Sequence, residues 1–180
     1  MSLNNLKKEL KKLDKENLIE LVADLYKKNK SVKEYFDFYV NPDEKMLFNK
    51  YRIKVYEAFY PKRGDECKLK DGKQAISDFR KLQPSAELLA DLMLFYVETG
   101  VEYTNEFGDI DQNFYSSLEK TYAAALEFMR KENLLEKFAE RTEKVVDDTD
   151  GIGWFFHDYL FQVHSEYYDD IDDSDVESSR

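Results

Sequence analysis

The sequence predicts an all-α protein, and three observations carry that reading. Apolar residues recur at three- and four-residue spacing along nearly the whole chain. No stretch shows the sustained apolar/polar alternation between turn residues that marks a strand. The 180 residues include only six Gly and three Pro, fewer turn residues than an all-β chain needs. An apolar fraction of 42% and an aromatic fraction of 15% argue against disorder for the body, and the length fits one domain with a sizeable core.

Each element follows in order. Leu3, Leu6, Leu10 and Leu13 make a narrow stripe with Lys7, Lys8, Lys11 and Lys12 between them, an amphipathic helix. Asp14 is a suitable N-cap for the next, whose face is Leu18, Leu21, Val22 and Leu25; Lys27, Lys28 and Lys30 bring positive charge to its C-terminal end. Ser31 with Glu34 three residues on reads as a capping box. Asn41 as cap, Pro42 as first helical residue and Glu44 as reciprocal acid sign a fourth helix. Phe48, Tyr51, Val55 and Phe59 share its face, and Pro61 ends it. PKRGDECKLKDGK is a polar loop, and Ile76, Phe79 and Leu82 then supply a short helix stopped before Pro84.

From Ser85 onward, Leu88, Leu89, Leu92, Met93, Phe95, Tyr96 and Val97 leave almost no polar face, which marks a helix buried at the centre. FGDIDQN is a turn. A helix from Asp111 offers Phe114, Leu118, Tyr122, Ala125 and Met129, and one from Asn133 to Val146 offers Leu135, Phe138, Thr142 and Val145. DDTDGIG separates the latter from a last helix running to Tyr168. The expectation is seven to nine helices in one domain over residues 1–168, an antiparallel bundle or short solenoid-like stack, then an acidic, disordered tail at 169–180.

No apolar h-region follows the first Lys pair, no apolar run approaches ~20 residues, and one Cys leaves no internal disulfide; a cytoplasmic protein without a membrane span is expected. The net charge of −11 is uneven. Residues 1–90 carry 20 Lys+Arg against 15 Asp+Glu, whereas residues 91–180 carry 7 against 23. The acidic half repels nucleic acid and anionic membranes and suits a basic protein surface or the basic half of a second copy.

Site motifs fail when their chemistry is tested. DIDQN places Asp109, Asp111 and Asn113 as in a calcium loop, but Phe114 stands where the sharp turn needs Gly and Lys120 where a bidentate carboxylate is needed. DDTDG fails likewise, with Val146 and His157 at its outer positions. GDECKLKDGK ends in Gly-Lys, but Gly64 and Gly72 are too far apart for a P-loop and Gln74 replaces the hydroxyl residue. Cys67 has cations nearby but no His near in sequence to act as its base. Arg, the usual base reader, is sparse in the Lys-rich N-terminal half, which argues against nucleic-acid recognition.

GIGWFFHDYLFQVHSEYYDD, residues 151–170, holds the single Trp and both His. His157 and His164 are two helical turns apart, ~10.5 Å along the axis, too far to share one metal ion. Local carboxylates are the expected partners of the pair. Phe156, Leu160, Val163 and Tyr167 have core spacing, while Ile152, Phe155, Tyr159 and Phe161 widen the apolar surface beyond one stripe, which means either burial on two sides or an exposed patch. Trp154, Phe155, His157, Tyr159, Phe161 and His164 are therefore the candidate interaction surface; no catalytic, cofactor-binding or metal-ligating residue is nominated.

The Leu/Lys opening, the helix YFDFYV running into Asn41-Pro42, and the helix AELLADLMLFYVETGVEYTNEFG resemble a small family of uncharacterised bacterial all-helical proteins, over residues 3–146. The resemblance implies a bacterial, cytoplasmic all-α domain and carries over no active-site residue. The leading functional expectation is a non-enzymatic helical interaction module. An enzyme or small-molecule-binding protein with a pocket between helices is the alternative, and nucleic-acid binding by the basic half comes third.

Overall fold

A computed structural model describes residues 1–64 and 66–177, with side chains as far as Asp169. Nine α-helices and no strand occur among the described residues, as the spacing of apolar residues predicts. They fall into two compact units, Met1–Asp43 and Glu44–Arg180.

The first unit holds α1 (Leu3–Leu10), α2 (Lys15–Lys28) and α3 (Lys30–Val40). The Asp14 carboxylate caps α2 by accepting the Asn17 N–H at 2.8 Å. Asn29 alone separates α2 from α3 and serves both. Its N–H closes α2 on the Leu25 carbonyl, and its side-chain oxygen accepts the Ser31 and Val32 N–H groups that start α3. The cap of α3 is thus Asn29, not the Ser31 box the sequence suggests. A polar clip closes the hairpin: the Tyr26 hydroxyl donates to Asp37 Oδ1 at 2.6 Å, and Lys33 Nζ donates to both. No residue of α1, α2 or α3 is buried.

The second unit holds α4 (Glu44–Phe59), α5 (Leu69–Lys81), α6 (Ala86–Phe107), α7 (Gln112–Lys131), α8 (Leu135–Asp147) and α9 (Phe156–Glu177). The helix expected from Pro42 begins at Glu44 instead, and the Glu44 carboxylate accepts the Ser85 N–H at the head of α6. α5 starts earlier than its apolar residues alone suggest. Asp111 caps α7 as expected, accepting the Phe114 N–H at 2.9 Å. The acidic tail expected at 169–180 falls largely outside the described side chains; the α9 backbone continues to Glu177, and residues 178–180 lie outside the described residues.

α6 is the centre of this unit, packing on α4, α5, α7 and α8. Leu89, Leu92, Met93, Tyr96, Val97 and Val101 are all buried, so its near-continuous apolar run faces neighbours on several sides. Asp91, which interrupts the run, pairs with Arg141 Nη1 of α8 at 2.9 Å, and the same guanidinium grips Glu98 through Nε and Nη2. Two close approaches depend on glycine. A Cβ on Gly100 would overlap the Leu118 side chain of α7, and one on Gly72 of α5 would lie 2.7 Å from a Tyr96 ring carbon. The Tyr96 hydroxyl meets Ser117 Oγ at 2.8 Å in the interior, and burial pushes its pKa up to about 12.

Gly100→Ala therefore overpacks the α6–α7 contact. Chemical denaturation should show a loss of about 1–3 kcal/mol against wild type, the usual cost of inserting a methyl into a filled core; an unchanged midpoint would mean that α7 moves away freely.

Candidate functional site

The chain between α8 and α9 is anchored at both ends before it turns outward. Thr149 is fully buried and its hydroxyl donates to the Val146 carbonyl at 2.5 Å. The Asn105 side chain donates to the Asp148 carbonyl at 2.9 Å. Seven residues after Thr149, Phe156 is fully buried, with its ring centroid 4.9 Å from that of Tyr115. Trp154 and Phe155 must span the distance between these anchors, and they do so in the left-handed region, at φ 61° and 56°. Bulky residues rarely adopt this conformation, and each such residue costs on the order of 1–3 kcal/mol.

One carboxylate holds the turn in place. Asp109, in the α6–α7 connection, accepts the Trp154 indole N–H at 3.0 Å on Oδ2 and the Tyr115 hydroxyl at 2.5 Å on Oδ1. The Tyr115 oxygen in turn accepts the Ile110 N–H. Burial, reinforced by the bond to Asp109, raises the Tyr115 pKa, so the hydroxyl stays protonated and donates. Gly153 lets Asp109 approach, since a Cβ there would sit 3.1 Å from Oδ2. DIDQN and DTDG, rejected as calcium loops, are thus the two sides of one aromatic corner.

The corner faces solvent. Trp154 is 52% exposed and Phe155 82%, with Asp150 and Asp158 exposed beside them in sequence. Tyr159 follows Phe155 by one turn. Phe161 and Tyr159 are two positions apart on a helix and so project from opposite flanks of the buried stripe Phe156, Leu160 and Val163. The six candidate residues therefore divide. Trp154, Phe155 and Tyr159 form the corner, and Phe161 groups with His157, its ring 6.4 Å away, and with His164.

Among the described residues neither imidazole has a carboxylate hydrogen-bond partner. His157 Nδ1 lies 3.0 Å from Thr149 Oγ1 and 3.2 Å from the Val146 carbonyl, which can only accept, so Nδ1 carries the proton. His164 stacks on Tyr168 at 4.4 Å, its Nε2 3.4 Å from Thr142 Oγ1. The expectation of local carboxylates gives way to hydroxyls and backbone because both rings turn toward α8. No group of three His, Cys, Asp or Glu side chains with metal-binding geometry occurs among the described residues.

A second feature of this unit is invisible to motif reading. Between α4 and α6 a groove of about 720 Å³ is lined by Arg52, Ile53, Tyr56, Tyr60, Phe95 and Glu102, among others. Tyr56 and Tyr60 stack at 4.8 Å, Arg52 sits 4.4 Å over the Phe95 ring, and the Tyr60 hydroxyl donates to Glu106. α4 places apolar residues on both sides, whereas the spacing in the sequence picks out one stripe, Phe48, Tyr51, Val55 and Phe59, as its face. Both His lie elsewhere.

The fold and the corner define an all-helical protein that presents strained, carboxylate-pinned aromatic rings. The chain belongs to a family of unknown function, DUF6155, whose model matches residues 1–168. The likeness noted over residues 3–146 thus extends through the aromatic stretch of α9. Neither the curated proteins nor the solved structures contain a match to the chain. No helix among the described residues is long and apolar enough to cross a membrane.

Two measurements follow. Phe155→Gly relieves a left-handed side chain that contributes little burial, so it should raise the unfolding free energy by about 1 kcal/mol in chemical denaturation; a loss of stability would mean that the exposed ring packs usefully. Burial, partly offset by Glu143, Asp169 and Asp147, lowers the His164 pKa below the ordinary 6.5. The unfolded chain then binds more protons, so the contribution is full above the ordinary imidazole value and is lost as pH falls through the folded one. Denaturation at about pH 8 and about pH 5.5 should show a smaller acid-side loss in His164→Gln than in wild type.

Proposed function

We propose that the protein is a non-enzymatic interaction module and that the Trp154–Phe155–Tyr159 corner is its docking surface for a basic protein segment. The observation that carries this reading is two consecutive aromatic residues in the left-handed region, one of them 82% exposed. Such strain sits in a turn that could be relieved by glycine without loss to the core, which supports a use for the exposed rings outside folding. The aromatic faces attract cationic side chains, and the surrounding half of the chain carries 23 Asp+Glu against 7 Lys+Arg. The Trp154 bond to Asp109 fixes the indole orientation in advance, so little ordering is needed on binding.

The test uses the single tryptophan as its own probe. Titration of the full chain with an Arg/Lys-rich peptide should shift and quench Trp154 emission saturably, and the midpoint should rise with salt as the charges are screened. Phe155→Ala should weaken binding about tenfold, the scale of one desolvated cation–π contact. A response equal for acidic and basic peptides, or none, defeats the reading. A small-molecule role rests instead on the α4–α6 groove, with its Tyr56–Tyr60 stack and the Arg52–Phe95 contact. A ligand that protects α4 and α6 from hydrogen exchange while leaving Trp154 emission unchanged would favour it.

A further inference from the structure

We infer that the α4–α6 groove binds a short linear peptide with both termini free, about three residues long at ~3.3 Å per residue, its carboxylate on Arg52 and its amine on Glu102. The inference rests on the reading of this groove as a small-molecule site and names the class of ligand. A volume of about 720 Å³ lies inside the roughly 300–1,000 Å³ of small-ligand sites. The apolar part of the lining is open: Ile53 is 56% exposed and Tyr56 46%, while the other side of α4 lies in the core. The two helices run parallel along it. Arg52 reaches Phe95, and eight residues on Tyr60 reaches Tyr103, Glu106 and Phe107. Arg52 and Phe95 therefore mark one end of the groove, Tyr60 and Glu102 the other, and the Tyr56–Tyr60 stack lies between.

The charges at the two ends select the ligand. The Arg52 guanidinium lies 4.4 Å over the Phe95 ring and has no hydrogen bond or ion pair among the described residues. Stacking fixes its plane and leaves its N–H edge to meet a carboxylate through two parallel bonds. Glu102 likewise has no hydrogen bond or ion pair among the described residues. The charges beside them are engaged: Lys62 pairs with Glu57 at 2.5 Å, and Glu106 accepts the Tyr60 hydroxyl. One cation and one anion call for a ligand that carries both charges, and their separation sets its length. Phe95 and Glu102 are seven residues apart on α6, ~10.5 Å along the axis. A free amino acid, with its charges about 3 Å apart, reaches one end only. An extended chain rises ~3.3 Å per residue, so three residues span the groove. The middle of such a peptide lies over Ile53 and Tyr56, where an apolar side chain covers exposed surface.

Calorimetric titration of the full chain with the free tripeptide Ala-Leu-Ala should show one saturable site. Acetylating its amine or amidating its carboxylate should each weaken binding about tenfold, the scale of one charge-assisted hydrogen bond. In Arg52→Gln the free and amidated peptides should bind alike while acetylation still weakens binding; in Glu102→Gln the pattern should reverse. Both side chains are exposed, so the helical circular dichroism of each variant should match wild type. No heat of binding at millimolar peptide, blocked peptides that bind as tightly as the free one, or variants that keep the wild-type pattern would each overturn the inference. If the peptide fails while another small molecule protects α4 and α6 from hydrogen exchange, the peptide assignment falls and the ligand-site reading of the groove stands. The readout does not involve Trp154, so the aromatic-corner reading is tested separately.

Discussion

The burial of α6 is the constraint on which the larger unit depends. A helix apolar on several sides can exist in water only if neighbours cover each side, and α4, α5, α7 and α8 do so. Close packing then dictates small residues at the crossings, which is why Gly100 faces Leu118 and Gly72 faces Tyr96. It also dictates what happens to the few polar groups on α6. Asp91 and Glu98 share one guanidinium, and Tyr96 shares a hydrogen bond with Ser117. Among the described residues no buried side-chain polar atom is left without a partner.

Rings carry this order outward. Phe59 of α4 touches Tyr96 of α6 and Phe114 of α7; Tyr115 follows Phe114 and touches Phe156 at the head of α9. Each ring fixes the next in a specific edge or tilted geometry, so α9 is placed by contacts that begin at α4. At the end of the chain Tyr115 turns its hydroxyl to Asp109, and Asp109 holds Trp154. The exposed corner is thus the last link of a core arrangement and not a loose loop.

What was legible in the sequence had a period. The helical class, the central burial of α6, the Asp14 and Asp111 caps and the core residues of α7 and α8 all follow from apolar spacing and capping chemistry, which are local. Boundaries were less legible where a cap serves two helices, as Asn29 does, or where Glu44 caps a distant helix in place of its own. The aromatic surface could be nominated from its width but not divided. Its division follows from the position of the α9 start: α9 begins at Phe156, so Trp154 and Phe155 belong to a turn while Tyr159 and Phe161 obey helical angles. The bond from Asp109 spans 45 residues in sequence, and no spacing rule reaches that far. The α4–α6 groove was missed because a helix with apolar residues on two sides has no single face to read.

The Asp109–Trp154 bond also sets where the chain tolerates a change of length. From Thr149, locked in the interior, to Phe156, locked against Tyr115, the path has one touchdown, and Gly151 and Gly153 let it bend to reach it. One residue more or fewer between these points would rotate the indole off Asp109 and turn the start of α9 by 100°, driving Phe156 out of the core. The loop between Pro61 and Lys68 is closed at its base by the Lys68 N–H on the Ala58 carbonyl, and insertions above that bond would add only a modest closure entropy. Length variation among sequences of this family should therefore gather at the first loop and avoid the second.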